Sequence, residues 1–141
     1  MEANLEKQQE NIGESLQEAI IYLAPKFGVN AQLMRMPTSE IADCNESYEV
    51  EYGRSPPFFL PSENKIILES NSNIFDLSHE CGHFLHYNVN PDLFLRRMPL
   101  DNLSFIESFS IRKRLLNEAL LEFVAHFAAC EYSHHKKRQE K

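Results

Sequence analysis

Asn73-Ile74-Phe75-Asp76-Leu77-Ser78-His79-Glu80-Cys81-Gly82-His83-Phe84-Leu85-His86-Tyr87 is the stretch that decides how the rest of the chain is read. Ile74, Leu77, Phe84, Leu85 and Tyr87 are the apolar anchors of a helix. Asn73 is a good N-cap, Asp76 three residues later approximates a capping box with a shorter acid, and Asn90-Pro91 supplies the stop. On that helix His79 and His83 stand one turn apart on one face. Both can present an imidazole nitrogen to one Zn²⁺ at about 2.0–2.1 Å. Glu80 falls on the neighbouring flank, where it is the natural general base for a water activated by such an ion. The bland alternative is an amphipathic helix with two surface histidines.

Two histidines do not hold a catalytic zinc, which takes a third protein ligand. A metzincin pattern would continue with glycine at position 86 and histidine at position 89; the chain has His86 and Val89. Downstream, Asn117-Glu118-Ala119-Leu120-Leu121-Glu122-Phe123-Val124-Ala125 reads as helix, with Glu118 and Glu122 on one face. Leu115, Leu116, Leu120, Leu121, Phe123, Val124 and Phe127 surround them and predict that both carboxylates lie close to buried core. A carboxylate there needs a partner or a metal. Glu118 is the expected third ligand, and Glu122 is expected to accept the outer N–H of a ligand histidine. Glu122 as ligand in place of Glu118 is the alternative.

His79-Glu80-x-x-His83 followed by Asn117-Glu118-Ala119-x-x-Glu122 resembles the gluzincin zinc metallopeptidases, in which a glutamate helix carries Asn-Glu-x-x-x-acid. The later acid of that pattern is usually aspartate; here Glu122 is one methylene longer. The chain is also similar to the compact minigluzincins, and to the metallopeptidase domain of the ImmA/IrrE type, with Phe127-Ala128-Ala129 ending the glutamate helix. The resemblance covers roughly residues 62–130 and rests on these short motifs. It implies a Zn²⁺ cofactor, a peptide or protein substrate, and endopeptidase chemistry with Glu80 as base. It leaves two further readings open. One is a non-catalytic regulatory or binding protein that keeps the zinc for structure. The other is a latent peptidase whose tail, Ser133–Lys141, or a loop fills the cleft.

The remaining histidines are weaker candidates. His86 lies a turn past His83 and suits a cleft wall; His126 suits a partner of Glu122 or the surface; His134 and His135 sit in a basic tail. Tyr48, Tyr52, Tyr87, His86 and His126 are the candidate oxyanion donors. Phe58, Phe59 and Leu60 either line a pocket or fill core.

A chain of 141 residues with 43% hydrophobic content predicts one domain, residues 1–141, with a charged and frayed tail over 132–141. A net charge of −7 argues against a nucleic-acid partner bound through phosphates. Cys44, Cys81 and Cys130 form no C-x-x-C pair, and their odd number predicts free thiols in a reducing cytoplasm. The acidic start has no signal-peptide core, and no apolar run approaches the ~20 residues of a membrane span. Oligomeric state is not legible.

Along the chain, Leu5, Ile12, Leu16, Ile20, Leu23 and Phe27 predict a helix over about 3–25, with Gly28 just past its end. Strands are predicted at Ala31–Met36, Ser47–Tyr52 and Lys65–Leu68, and a Pro-rich loop at Gly53–Pro61. The third strand is expected either at a sheet edge, where a peptide could add to it, or in the core. Asp92–Met98 is expected as a short helical piece, and Leu103–Tyr132 as mostly helical with a break near Ser108–Ser110. The fold class is therefore α+β: a small, about three-stranded sheet packed on an N-terminal helix, a zinc-binding helix and a glutamate helix.

Overall fold

The computed structural model describes residues 2–42, 56–92 and 108–140. Among the described residues, three α-helices and one small mixed sheet make an α+β architecture, as the sequence predicts. The helices are α1 (Glu2–Leu23), α2 (Ile74–Val89) and α3 (Ser108–Gln139); the strands are β1 (Thr38–Ile41), β2 (Phe58–Leu60) and β3 (Lys65–Leu68). Among the described residues no helix is long and apolar enough to cross a membrane.

α1 forms because its apolar residues recur at helical spacing. Leu16, Ala19, Ile20 and Leu23 are buried, and Ile12 and Phe27 pack at the margin of the core. Its last residues tighten into a 3-10 turn, Ala24–Phe27. Gly28 ends that turn in the left-handed region at φ 74, donating its N–H back to the Ala24 and Pro25 carbonyls.

β3 is the centre of the sheet, parallel to β1 on one side and antiparallel to β2 on the other. Of the two expectations for this strand the core one holds and the edge one does not: both sides of β3 already carry a partner. Its run Ile66-Ile67-Leu68 is fully buried on both faces, which is what a central strand of a covered sheet requires. Two strand assignments also change. Ala31–Met36 is not a strand; Ala31–Leu33 forms a 3-10 turn capped by the Asn30 side chain, and β1 begins two residues after Met36. Asn64 explains the shift: it takes φ 49 and its side-chain amide donates to the Arg35 and Met36 carbonyls. Those bonds align the chain so that pairing starts at Thr38 with Lys65. Phe58–Leu60, expected in a loop, pairs with β3, because Phe58 and Phe59 bury their rings. Ser47–Tyr52 and Asp92–Met98 lie wholly or mostly outside the described residues.

α2 is the axis of the core. Asn73 caps it, accepting from the Asp76 N–H while the Asp76 carboxylate accepts from the Asn73 N–H, so the shortened capping box closes. Leu77, Ser78, Glu80, Cys81, Gly82, His83, Phe84, Leu85 and His86 are all buried. α1 and the sheet pack on one side and α3 on the other. Phe59 meets Phe84 edge-on at 5.8 Å and also touches Tyr87.

α3 runs 32 residues without a break. The charged tail, expected to fray from residue 132, continues the helix to Gln139. It is held on α1: His135 stacks on Tyr22 at 3.8 Å and Lys136 pairs with Glu18 at 3.4 Å. Lys26 and Tyr22 both reach Glu131. A second correction concerns the apolar neighbours of the two acids. Leu121 is buried, but Leu116, Leu120, Phe123 and Phe127 are exposed, because only one face of α3 meets α2.

α2 and α3 approach closely at Gly82. A β-carbon there would lie 2.8 Å from the Ala125 Cα and 2.8 Å from the Ala128 Cβ. The first contact is with backbone, which cannot rotate away. Gly82→Ala should therefore lower stability by ~1–3 kcal/mol, despite the better helix propensity of alanine. A denaturant midpoint equal to that of the parent protein would contradict this close approach.

Candidate metal centre

The three motif residues occupy two environments on α2. Glu80 and His83 are buried, and His79 is partly exposed at the mouth of the site. One ligand atom from each of His79, Glu80 and His83 lies within 4.8 Å of the other two, so the three form a group able to hold one metal ion. The capping box places the first turn, and the burial of Leu77, Cys81, Phe84 and Leu85 fixes the rotation of the helix. With those side chains turned into the core, 79 and 83 must face α3.

From α3, Glu122 meets both rings. Its Oε2 lies 3.1 Å from His79 Nε2 and its Oε1 lies 3.2 Å from His83 Nε2. One carboxylate therefore spans the two nitrogens that the motif offers to an ion. The expectation set Glu118 on the ion and Glu122 on an outer N–H; the geometry sets Glu122 against the Nε2 atoms themselves. Glu118 is half-buried one turn earlier on the same helix. The crossing at Gly82 makes the contact: Ala125, one turn beyond Glu122, rests against Gly82, one residue before His83.

This set fits a divalent ion. Two imidazole nitrogens meet a carboxylate from α3, and a second carboxylate, Glu80, sits beside them, which are donor types that zinc takes. Without an ion, the same groups pair with one another. The hydrogen bond to Glu122 raises the His79 pKa above its ordinary value, helped by the charges of Glu80 and Asp76 and opposed by burial. The bonds from His79 and His83 hold the Glu122 carboxyl well below the usual carboxylate range.

The other candidates are distributed around this group. Phe75, one turn before His79, meets His126, one turn after Glu122, edge-on at 5.2 Å. His126 is exposed, and it was legible only as a residue four positions past an acid. His86 is buried on α2, and burial lowers its pKa. Tyr87 packs on Phe59. Phe58 and Phe59 fill core, whereas Leu60 is half-buried. His135 stacks on Tyr22 of α1. Cys81 is buried, its Sγ reaches the Leu16 carbonyl at 3.9 Å, and burial first and the Glu80 charge second push its thiol well above its ordinary value. It is a core residue, and Cys130 is exposed. Tyr48, Tyr52 and Cys44 lie outside the described residues.

No protein-family model, no curated protein and no solved structure matches this chain.

The His79–Glu122 pair gives a pH signature to protein stripped of metal. A histidine with a raised pKa contributes stability below its ordinary value, 6.5, and loses it as pH rises through the raised value. A carboxyl with a lowered pKa contributes above its ordinary value, 4.5, and loses it as pH falls. The contribution is therefore fullest between these two values. Glu122→Gln should flatten the fall in the melting temperature of chelator-treated protein above pH 6.5 and below pH 4.5. Parallel curves for parent and variant would show that the pair does not form.

Proposed function

We propose that this protein is a zinc-dependent peptidase that hydrolyses peptide bonds in a peptide or protein substrate. The observation that carries the proposal is the convergence of His79 Nε2 and His83 Nε2 on one carboxylate from a second helix, with Glu80 buried beside them. The resemblance of His79-Glu80-x-x-His83 and Asn117-Glu118-Ala119-x-x-Glu122 to the gluzincin pattern supports the same reading.

His79 and His83 would hold the ion, with a carboxylate from α3 as third ligand. Two acids compete for that place: Glu118 by the family pattern, and Glu122 by its contacts with both rings. A bound Zn²⁺ supplies Lewis acidity, which polarises a carbonyl and makes water a better acid. Glu80 takes a proton from the attacking water and delivers it to the nitrogen of the leaving amine. Its burial keeps this carboxylate out of bulk water and fixes it against the histidines. Whichever α3 acid is not on the ion can accept a ring N–H and fix the histidine tautomer.

Two measurements test this reading. Glu80→Gln should retain metal by elemental analysis and lose peptide hydrolysis by a factor of at least ~10². A variant that cleaves a peptide library as fast as the parent would remove Glu80 from the role of base. Glu118→Ala and Glu122→Ala are then compared for metal content. The ligand is the acid whose loss empties the site, and the other variant should keep metal while binding it ~10–100-fold more weakly. Chelation that unfolds a protein with no hydrolytic activity would instead favour the structural-zinc reading.

A further inference from the structure

α3 is apolar on two opposite faces. One carries Leu121, Ala125, Ala128 and Tyr132, all buried in the core. The other carries Leu116, Leu120, Phe123 and Phe127, exposed by 71%, 45%, 71% and 52%. Their spacing of four, three and four is that of a coiled-coil seam, and exposed Cys130 continues it at the next step of three. Among the described residues nothing covers this stripe. A helix that presents apolar residues on both faces is built to be buried on both.

We propose that the stripe is a homodimer interface in which the α3 helices of two copies pack antiparallel. The order of the four side chains selects this occupant. A two-fold axis between Leu120 and Phe123 sets Leu120 against the partner's Phe123 and Leu116 against the partner's Phe127. Every layer then holds one leucine and one phenylalanine, so the layers are equal in size and the surface complements itself. A parallel pairing would stack two Leu–Leu layers and then two Phe–Phe layers, a narrow half followed by a wide one. The chain's own core lies on the far face of each α3, so the described part of each copy stands on the outer side of the helix pair.

The area sets the strength. With about 150–250 Å² for a large aromatic, the four side chains at these exposures offer on the order of 400–500 Å² of surface per copy. Ala119 and Cys130 flank the seam and extend it towards the ~600–800 Å² per partner at the lower end of specific interfaces. The dimer is therefore a weak and reversible one. Each copy carries a net charge of −7, so added salt strengthens the association by screening repulsion while leaving apolar contacts intact.

Sedimentation equilibrium of the full chain tests this directly. The expected result is a concentration-dependent rise from the 16.4 kDa of one chain to twice that mass, displaced to lower concentration by salt. Phe123→Glu should weaken association at least ~100-fold, with helix content and metal content unchanged. If Phe123→Glu loses helix, Leu116→Lys near the end of the stripe gives the same readout with less burden on the fold. A parent that stays monomeric at every concentration, or a folded Phe123→Glu that dimerises like the parent, overturns the proposal. Cys130 reports the direction. In the antiparallel seam the two Cys130 residues lie about 25 Å apart, far beyond disulfide reach. Rapid oxidation of a Cys44→Ser protein to a Cys130-linked dimer would overturn the antiparallel register.

Discussion

The missing side chain at Gly82 is the constraint on which the site depends. Only because position 82 has no β-carbon can the backbone of α3 come to rest against α2, with the Ala125 Cα where a methyl group would otherwise be. That distance brings Glu122, one turn from Ala125, to 3.1 and 3.2 Å from the two ring nitrogens. A wider crossing would leave two imidazoles facing a carboxylate they could not share. Packing and chemistry are therefore set by the same few atoms.

The burial of α2 makes the second demand. A helix enclosed by α1, the sheet and α3 has little freedom to rotate, so the polar groups it carries inward must be satisfied where they stand. Glu80 and His83 are such groups: His83 meets Glu122, and with His79 the two form a group that could hold a metal ion. The outer helices carry their own fixings. His135 and Lys136 join the end of α3 to Tyr22 and Glu18 of α1. α3 thus supplies an acid to the site, a clamp to α1 and an apolar stripe that points away from both.

Much of this was legible in the residues. The capping box of Asn73 and Asp76, the spacing of Ile12, Leu16, Ile20 and Leu23, and the uniformly apolar Ile66-Ile67-Leu68 each encode a local structure, because helix caps and side-chain periodicity act over a few residues. The failures are equally specific. Ala31–Met36 looked extended, but Asn30 caps a 3-10 turn there and Asn64 moves the first pairing to Thr38. Phe58–Leu60 looked like a proline-rich loop, and its pairing with β3 is a contact outside its own neighbourhood. Leu116, Leu120, Phe123 and Phe127 looked like core because their character was read without knowing which face of α3 met α2.

By itself the sequence determined that a helix would carry His79, Glu80 and His83 on adjoining positions, and that a later helix would carry two acids one turn apart. Both are consequences of 3.6 residues per turn, which holds whatever the rest of the molecule does. Which acid meets the rings was decided only by the tertiary structure. Glu118 and Glu122 share a face and a chemistry, and their difference is a shift of one turn along α3. Such a shift is invisible to local rules; the steric contact of Gly82 with Ala125 and Ala128 sets it, across more than forty residues of chain.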